Sequence, residues 1–162
     1  MKPVIRQFPK SGVKSREVIQ GDVMRIIKTA KIMKYLLDKP IGLYKNGHAL
    51  AHIQVVDKDP LRFFVKHDGS IIINPKIKRH TRHTVDVEEG CMSYCTKKPI
   101  KIERYYKCDV EYQKIDIEST PSGNGPSYQL SKPITKTVKG IEAQVFQHEI
   151  EHFEGGNIYN EK

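Results

Sequence analysis

The stretch His148-Glu149-Ile150-Glu151-His152 does most to limit what this chain can become. On a helix, residues four apart stand on one face, a turn apart. The two imidazoles can therefore reach one divalent metal. Glu149 follows the first histidine, where its carboxylate can take a proton from a water activated by that metal. The pattern H-E-x-x-H also arises by chance on amphipathic helices, so its surroundings decide its weight. Thr137 to Gln147 supports a helix running into the motif, and Ile141, Val145, His148 and His152 recur at steps of four, three and four. The expected face is apolar at its start and metal-binding at its end, with Gly155-Gly156 as the stop. The plain alternative is a surface helix with two solvated histidines. Val145, Phe146 and Ile150 argue against it.

A catalytic site of this kind needs a third protein ligand and an open position for water. One class places a histidine six residues past the second, but that position is Ile158. Another uses a glutamate further along the helix, and the sequence stops at Lys162. The third ligand must come from upstream. Cys91, in Glu88-Glu89-Gly90-Cys91-Met92-Ser93, is a candidate, because Gly90 lets the backbone turn sharply and present a thiolate. A buried free cysteine is the common alternative, and Cys95 and Cys108 are read that way.

A length of 162 residues fits one domain, 1–162, with residues 1–11 irregular. The net charge of +9 predicts attraction to polyanions or to an acidic surface, without naming one. No apolar run reaches the ~18 residues of a membrane span. The first residues lack the apolar core of a signal peptide. Three cysteines without a secretion signal point to a reduced, cytoplasmic or equivalent compartment.

Asp22 is placed to cap a helix running to about Lys39, with Val23, Ile26, Ile27, Ala30, Met33 and Leu37 on its apolar side. Gly47 to Gln54 is rich in small residues, which let a backbone approach something closely. Gln54, just before an expected strand start at Val55-Val56, could donate to an oxyanion. Leu61–His67 and Ile71–Asn74 read as strands joined around Asp68-Gly69. Lys76 to His83 is a basic cluster without aromatic residues of its own, read as a solvated loop or edge. Pro99 to Glu118 is mainly strand, and Ser119–Ser127 is a turn-rich loop. The fold class is therefore α+β, with mostly antiparallel sheets packed around a C-terminal helix carrying the motif and a helix near the N-terminus.

Three stretches read in this way together resemble one family, the peptide deformylases. Its signatures are G-x-G-x-A-A-x-Q, E-G-C-x-S and H-E-x-x-H. Here they stand, in that order, as Gly47-His-Ala-Leu-Ala-His-Ile-Gln54, Glu89-Gly-Cys-Met-Ser93 and His148-Glu-Ile-Glu-His152. Ile71-Ile-Ile-Asn-Pro75 and Ile102-Glu-Arg104 are similar to the family too, and the resemblance spans roughly residues 12 to 160. It implies a hydrolase that removes the formyl group from formyl-methionine at the start of nascent polypeptides. Cys91, His148 and His152 would hold the metal and Glu149 would be the general acid and base. Gln54 and the Met92 N–H would stabilise the oxyanion, Gly47 and Ala49 would pair with the peptide, and Ile141 and Val145 would line the methionine pocket. Ligand spacing alone suggests zinc. The resemblance implies Fe(II), with nickel or cobalt as substitutes. A monomer that recognises no specific nucleic-acid sequence is expected, with the +9 charge drawing it to the ribosome in place of the C-terminal docking helix of some bacterial members.

Ala49 replaces the second glycine of the family pattern and His52 its second alanine. Both changes bear on substrate fit, so an impaired homologue is one alternative. A structural zinc module using Cys91, Cys95, His148 and His152 is another. Thr96 to Gln147 intervene there, far more than the about 12 residues of a short finger. A basic RNA-binding protein is a third, with binding that falls steeply with salt.

Overall fold

The computed structural model describes residues 4–5, 13–45, 47–56, 58–119 and 125–159. After a 3-10 turn at Gln20–Asp22 comes helix α1 (Val23–Leu37), then β1 (Ala49–Ala51), a second 3-10 turn (His52–Gln54), β2 (Phe63–Lys66) and β3 (Ile71–His80). Next are β4 (Thr84–Glu89), a third 3-10 turn (Met92–Tyr94), β5 (Ile100–Tyr105), β6 (Lys107–Gln113), β7 (Ile115–Ser119), β8 (Pro126–Leu130), β9 (Ile134–Lys139) and helix α2 (Ile141–Phe153). All strand pairs are antiparallel. The main sheet has the order β1-β2-β3-β6-β9, and β4-β5 and β7-β8 form two separate pairs.

Period-two alternation sorts the central strands between the two helices. Phe64, Ile72, Ala49 and Ala51 join Phe146 and Phe153 of α2 in one buried cluster. Phe63, Val65, Ile73 and Leu50 join Ile26, Ala30, Met33 and Leu37 of α1 in the other. Covered on both faces, these strands read as unbroken apolar runs, Phe63-Phe64-Val65 and Ile71-Ile72-Ile73. The motif helix is thus fixed against a sheet that is itself fixed by α1.

Four local expectations need correction. The stretch 137–139 is the end of β9 rather than helix, and α2 starts only at Ile141. Asp22 does not cap α1 through its side chain; its carboxylate takes the Ile19 N–H and a bidentate pair from Arg16. Those partners lie before the helix and close the turn that leads into it. Val55-Val56 is not a strand start, because the 3-10 turn closes with the Val55 N–H on the His52 carbonyl. Lys76–His80 is not a loop but the second half of β3. Asn74, at φ 50°, and Pro75 form an irregularity between Ile73 and Lys76 after which pairing with β6 resumes, and proline is tolerated in strands at such bulges. Most of the irregular segment 1–11, and residues 120–124 of the Ser119–Ser127 loop, lie outside the described residues.

Candidate metal centre

Three chain segments meet on the inner face of α2. The helix supplies His148 and His152, four residues apart and therefore stacked one turn above the other, with ring centroids 4.5 Å apart. The turn after β4 supplies Cys91, buried at 2 % exposure. One donor atom from each of Cys91, His148 and His152 falls within a set no more than 4.8 Å across. Among the described residues this is the only group of three or more such side chains, and Cys95 is not in it.

Outer contacts aim the imidazoles. His148 Nδ1 donates to Glu89 Oε2 at 2.9 Å, and His152 Nδ1 donates to the Gly156 carbonyl at 3.0 Å. With Nδ1 engaged in this way, Nε2 is the nitrogen each ring presents to the centre. His152 Nε2 lies 3.6 Å from Cys91 Sγ. Glu89 is gripped by Arg104 of β5 in a two-bond fork at 2.8 and 2.7 Å, and the same guanidinium reaches Glu151 at 3.1 Å. Burial pushes the Glu89 carboxyl up, but Arg104 and His148 outweigh it and bring it to about 2. Burial pulls His148 down, yet its bonds to Cys91 and Glu89 prevail and raise it to about 10. His152, also buried, is held well below its ordinary value, by burial first and then by the His148 charge.

Glu149 sits beside this set with a different environment. Its Oε2 is buried with no hydrogen-bond partner, and burial raises the carboxyl to about 7, against a smaller lowering by His148. Gln54 is fixed at both ends: Oε1 accepts the Ala51 N–H at 2.8 Å, while Nε2 donates to Ser93 Oγ at 3.0 Å and lies 3.7 Å from Cys91 Sγ. A cavity of about 420 Å³ opens onto these groups.

Of the expected site residues, Gly47, Ala49, Gln54, Met92, Ile141, Val145, His148 and Glu149 all line that cavity. Ile141 is 65 % exposed at the cavity wall, while Val145 both lines the cavity and packs against the core cluster under α2. Gly47 is needed for packing: a Cβ there would come within 2.2 Å of Met92 Sδ and 2.9 Å of Leu37. Gly90 has an equally close neighbour, since a Cβ would lie 2.2 Å from the Tyr44 hydroxyl. It is not among the positive-φ glycines, so close approach, not a sharp turn, explains it. His52 does not intrude on the cavity; it is fully buried, accepts the Leu61 N–H on Nδ1 at 2.8 Å and stacks on Phe63 at 4.7 Å.

Several contributors were not singled out from sequence. Tyr44 walls the cavity, and its hydroxyl donates to the Lys97 carbonyl at 2.9 Å. Gln147 ties α2 to β5 through both the N–H and the carbonyl of Tyr105. Glu89 and Arg104 were visible as part of wider patterns, but their mutual fork needs β4 and β5 paired in register.

Helix, paired histidines and an upstream cysteine, set into antiparallel sheet, define a metal-site protein of mixed α/β class. The family model for polypeptide deformylase matches residues 16–121, about two thirds of the sequence. The peptide deformylase of Thermotoga neapolitana is 29 % identical over 156 residues, covering 94 % of this chain and 77 % of that protein. The one from Clostridium beijerinckii is 26 % identical over 155 residues, covering 96 % and 97 %. The crystal structure of peptide deformylase from Thermotoga maritima superposes with a TM-score of 0.74 at 28 % identity, covering 98 % of this chain and 95 % of the other. That of the Vibrio parahaemolyticus bacteriophage VP16T enzyme, in complex with actinonin, gives 0.70 at 29 % identity, covering 98 % and 100 %. The chain belongs to the polypeptide deformylase family, whose members are metal-dependent hydrolases that remove a formyl group.

Proposed function

We propose that this chain, as one catalytic domain over residues 1–162, hydrolyses the N-formyl group from peptides that begin with formyl-methionine. The observation that carries this reading is the convergence of Cys91, His148 and His152 beside Glu149, whose Oε2 is unpartnered, with His148 and Glu149 lining one cavity. The donor set fits a divalent metal. Cys91 offers a sulfur and His148 and His152 one ring nitrogen each, all within a set no more than 4.8 Å across. A metal held there would act as a Lewis acid and bring the pKa of a water towards neutrality. A thiolate with two imidazoles suits Fe(II), which is the preferred ion, with zinc, nickel and cobalt as alternatives.

Glu149 takes the proton of the attacking water and later delivers it to the leaving amine. The C–O bond forms at the formyl carbon and the C–N bond breaks, giving formate and a free amino terminus. Gln54 Nε2 and the Met92 N–H donate to the oxygen that gathers charge. β1 lies at the edge of the main sheet, so an extended peptide can add beside Gly47 and Ala49 as a further strand. Ile141 and Val145 receive the methionine side chain, whose thioether suits an apolar wall. The protein works as a monomer, and its +9 charge draws it to the ribosome, where such peptides emerge.

The test is formate release from a short formyl-Met peptide by protein loaded anaerobically with Fe(II), beside Glu149→Ala. Turnover in the first and a loss of about 10²-fold or more in the second, with metal retained, is expected. Metal bound in both with no turnover in either would mean an impaired homologue. No metal in either would undo the ligand assignment.

A further inference from the structure

The basic run Lys76–His83 contains no aromatic residue, but the fold brings two to it. Strands β3 and β9 finish and β6 begins at the same end of the main sheet, beside the β5–β6 connection. His80 stacks on Tyr105 with centroids 3.6 Å apart and planes 17° apart, and His83 meets the exposed Tyr106 edge-on at 5.6 Å. Three backbone bonds fix the arrangement: Thr81 N–H to Lys107 O at 3.0 Å, Tyr106 N–H to His83 O at 3.0 Å, and Gly140 N–H to Tyr106 O at 2.8 Å.

Arg79, Arg82, Lys107 and Lys139, next to these rings in sequence or paired across the β6–β9 register, are exposed. Among the described residues none of the four is in an ion pair. Asp109 faces Arg79 across the β3–β6 register but accepts the Thr137 hydroxyl at 2.6 Å. Glu111 faces Lys78, at 3.7 Å. Lys107 is directly opposite Lys139 in the β6–β9 register. Like charges directly across a sheet destabilise it, and a bound anion would relieve that repulsion.

We infer that this end of the sheet binds single-stranded nucleic acid, with phosphates between Lys107 and Lys139 and beside Arg79 and Arg82, and bases against Tyr106 and the exposed His80 ring. Cations flanking planar rings match a strand with accessible bases; a lipid headgroup offers no ring to stack. RNA is the natural strand if the chain acts where nascent peptides emerge, and that choice alone rests on the proposed function. The surface leaves the cavity free. Thr84 and Tyr105 stand at the opposite end of the β4–β5 pair from Glu89, about 17 Å of strand away.

The experiment measures fluorescence anisotropy of a labelled single-stranded RNA 12-mer against the metal-loaded protein at graded salt. Four proteins are compared: wild type, Lys107→Glu/Lys139→Glu, Tyr106→Ala, and Lys28→Glu/Lys31→Glu on the exposed side of α1, which makes the same charge change elsewhere. Anionic phospholipid vesicles are the second probe. The patch double variant should bind RNA at least about tenfold more weakly at low salt, with a salt slope flatter by about 1.4, as two lost phosphate contacts require. Tyr106→Ala should lose about tenfold, and the α1 variant should stay within about twofold of wild type. All four should release formate alike, which separates this result from any failure of the hydrolase reading. No salt-sensitive RNA binding by wild type, equal loss from the α1 reversal, or vesicle binding as tight as RNA binding would overturn the inference.

Discussion

The partners each buried charge finds decide what it can do around the candidate metal centre. Glu89 and Glu149 are both buried carboxylates near His148, yet they are tuned apart. Arg104 and His148 hold Glu89 at about 2, whereas Glu149, with an unpartnered oxygen, is raised to about 7. The first stays charged and orients a ligand; the second can exchange a proton near neutral pH. Glu89→Gln should therefore leave Glu149 in place but weaken metal binding or turnover by about 10–100-fold, as loss of a partner behind a ligand typically does. It also leaves the largely buried Arg104 with Glu151 as its carboxylate partner, so chemical denaturation should show a loss of about 2 kcal/mol. His52 gives a pH signature away from the centre. Burial, ahead of repulsion from Arg25, depresses its imidazole to about 3 from 6.5. Between those values the unfolded chain binds the proton and the folded chain does not. Stability should fall as pH drops from about 6.5 towards 3, by roughly 2 kcal/mol at pH 5. His52→Asn keeps an acceptor for the Leu61 N–H. Melting curves of wild type and variant should converge between pH 6.5 and 5, and parallel curves would sink the assignment.

At the scale of elements, the segment between α1 and β1 straps the cysteine turn. Ile41 and Tyr44 exchange backbone bonds, the Leu43 N–H reaches the Cys95 carbonyl at 2.8 Å, and the Tyr44 hydroxyl reaches Lys97. Gly42 makes this possible: its φ is +53°, and a Cβ would fall 2.2 Å from the Cys95 carbonyl oxygen. Backbone cannot step aside as a flexible side chain can. Gly42→Ala should cost about 2–3 kcal/mol and loosen the turn carrying Cys91, so a calorimetric melt should fall together with bound metal. The elements themselves were largely readable. The spacing from Val23 to Leu37 is that of α1, and Asp68-Gly69 closes the β2–β3 hairpin. The basic half of β3 was not. Its charged side chains and Pro75 suggest a loop, but pairing with β6, beyond an irregularity pinned by Asn74 to both backbone groups of Val18, keeps it extended. No local pattern encodes a partner strand thirty residues away.

Over the whole molecule, the metal should couple activity to stability. The three side chains proposed to hold it come from two distant segments, α2 and the turn after β4. A ligand that binds only the folded chain stabilises it by mass action, about 2.7 kcal/mol at a hundredfold excess over Kd. Dialysis against a chelator should abolish formate release and lower the melting temperature, and Fe(II) readdition under anaerobic conditions should restore both; an unchanged melt would show that no metal bridges these segments. The sequence by itself determined the chemistry at hand: a thiol, two imidazoles four apart, a glutamate between them and an amide upstream, along with the apolar runs and periodicities that make two helices and an antiparallel sheet. These are properties of residue type and local spacing, which travel with the chain. Only the tertiary structure decided why Gly47 and Gly90 are bare, that His52 turns into the core, and that Arg104 locks Glu89. Each of these depends on atoms from separate segments coming within a few ångströms, and the packing of α1 and α2 on opposite faces of one sheet sets those distances.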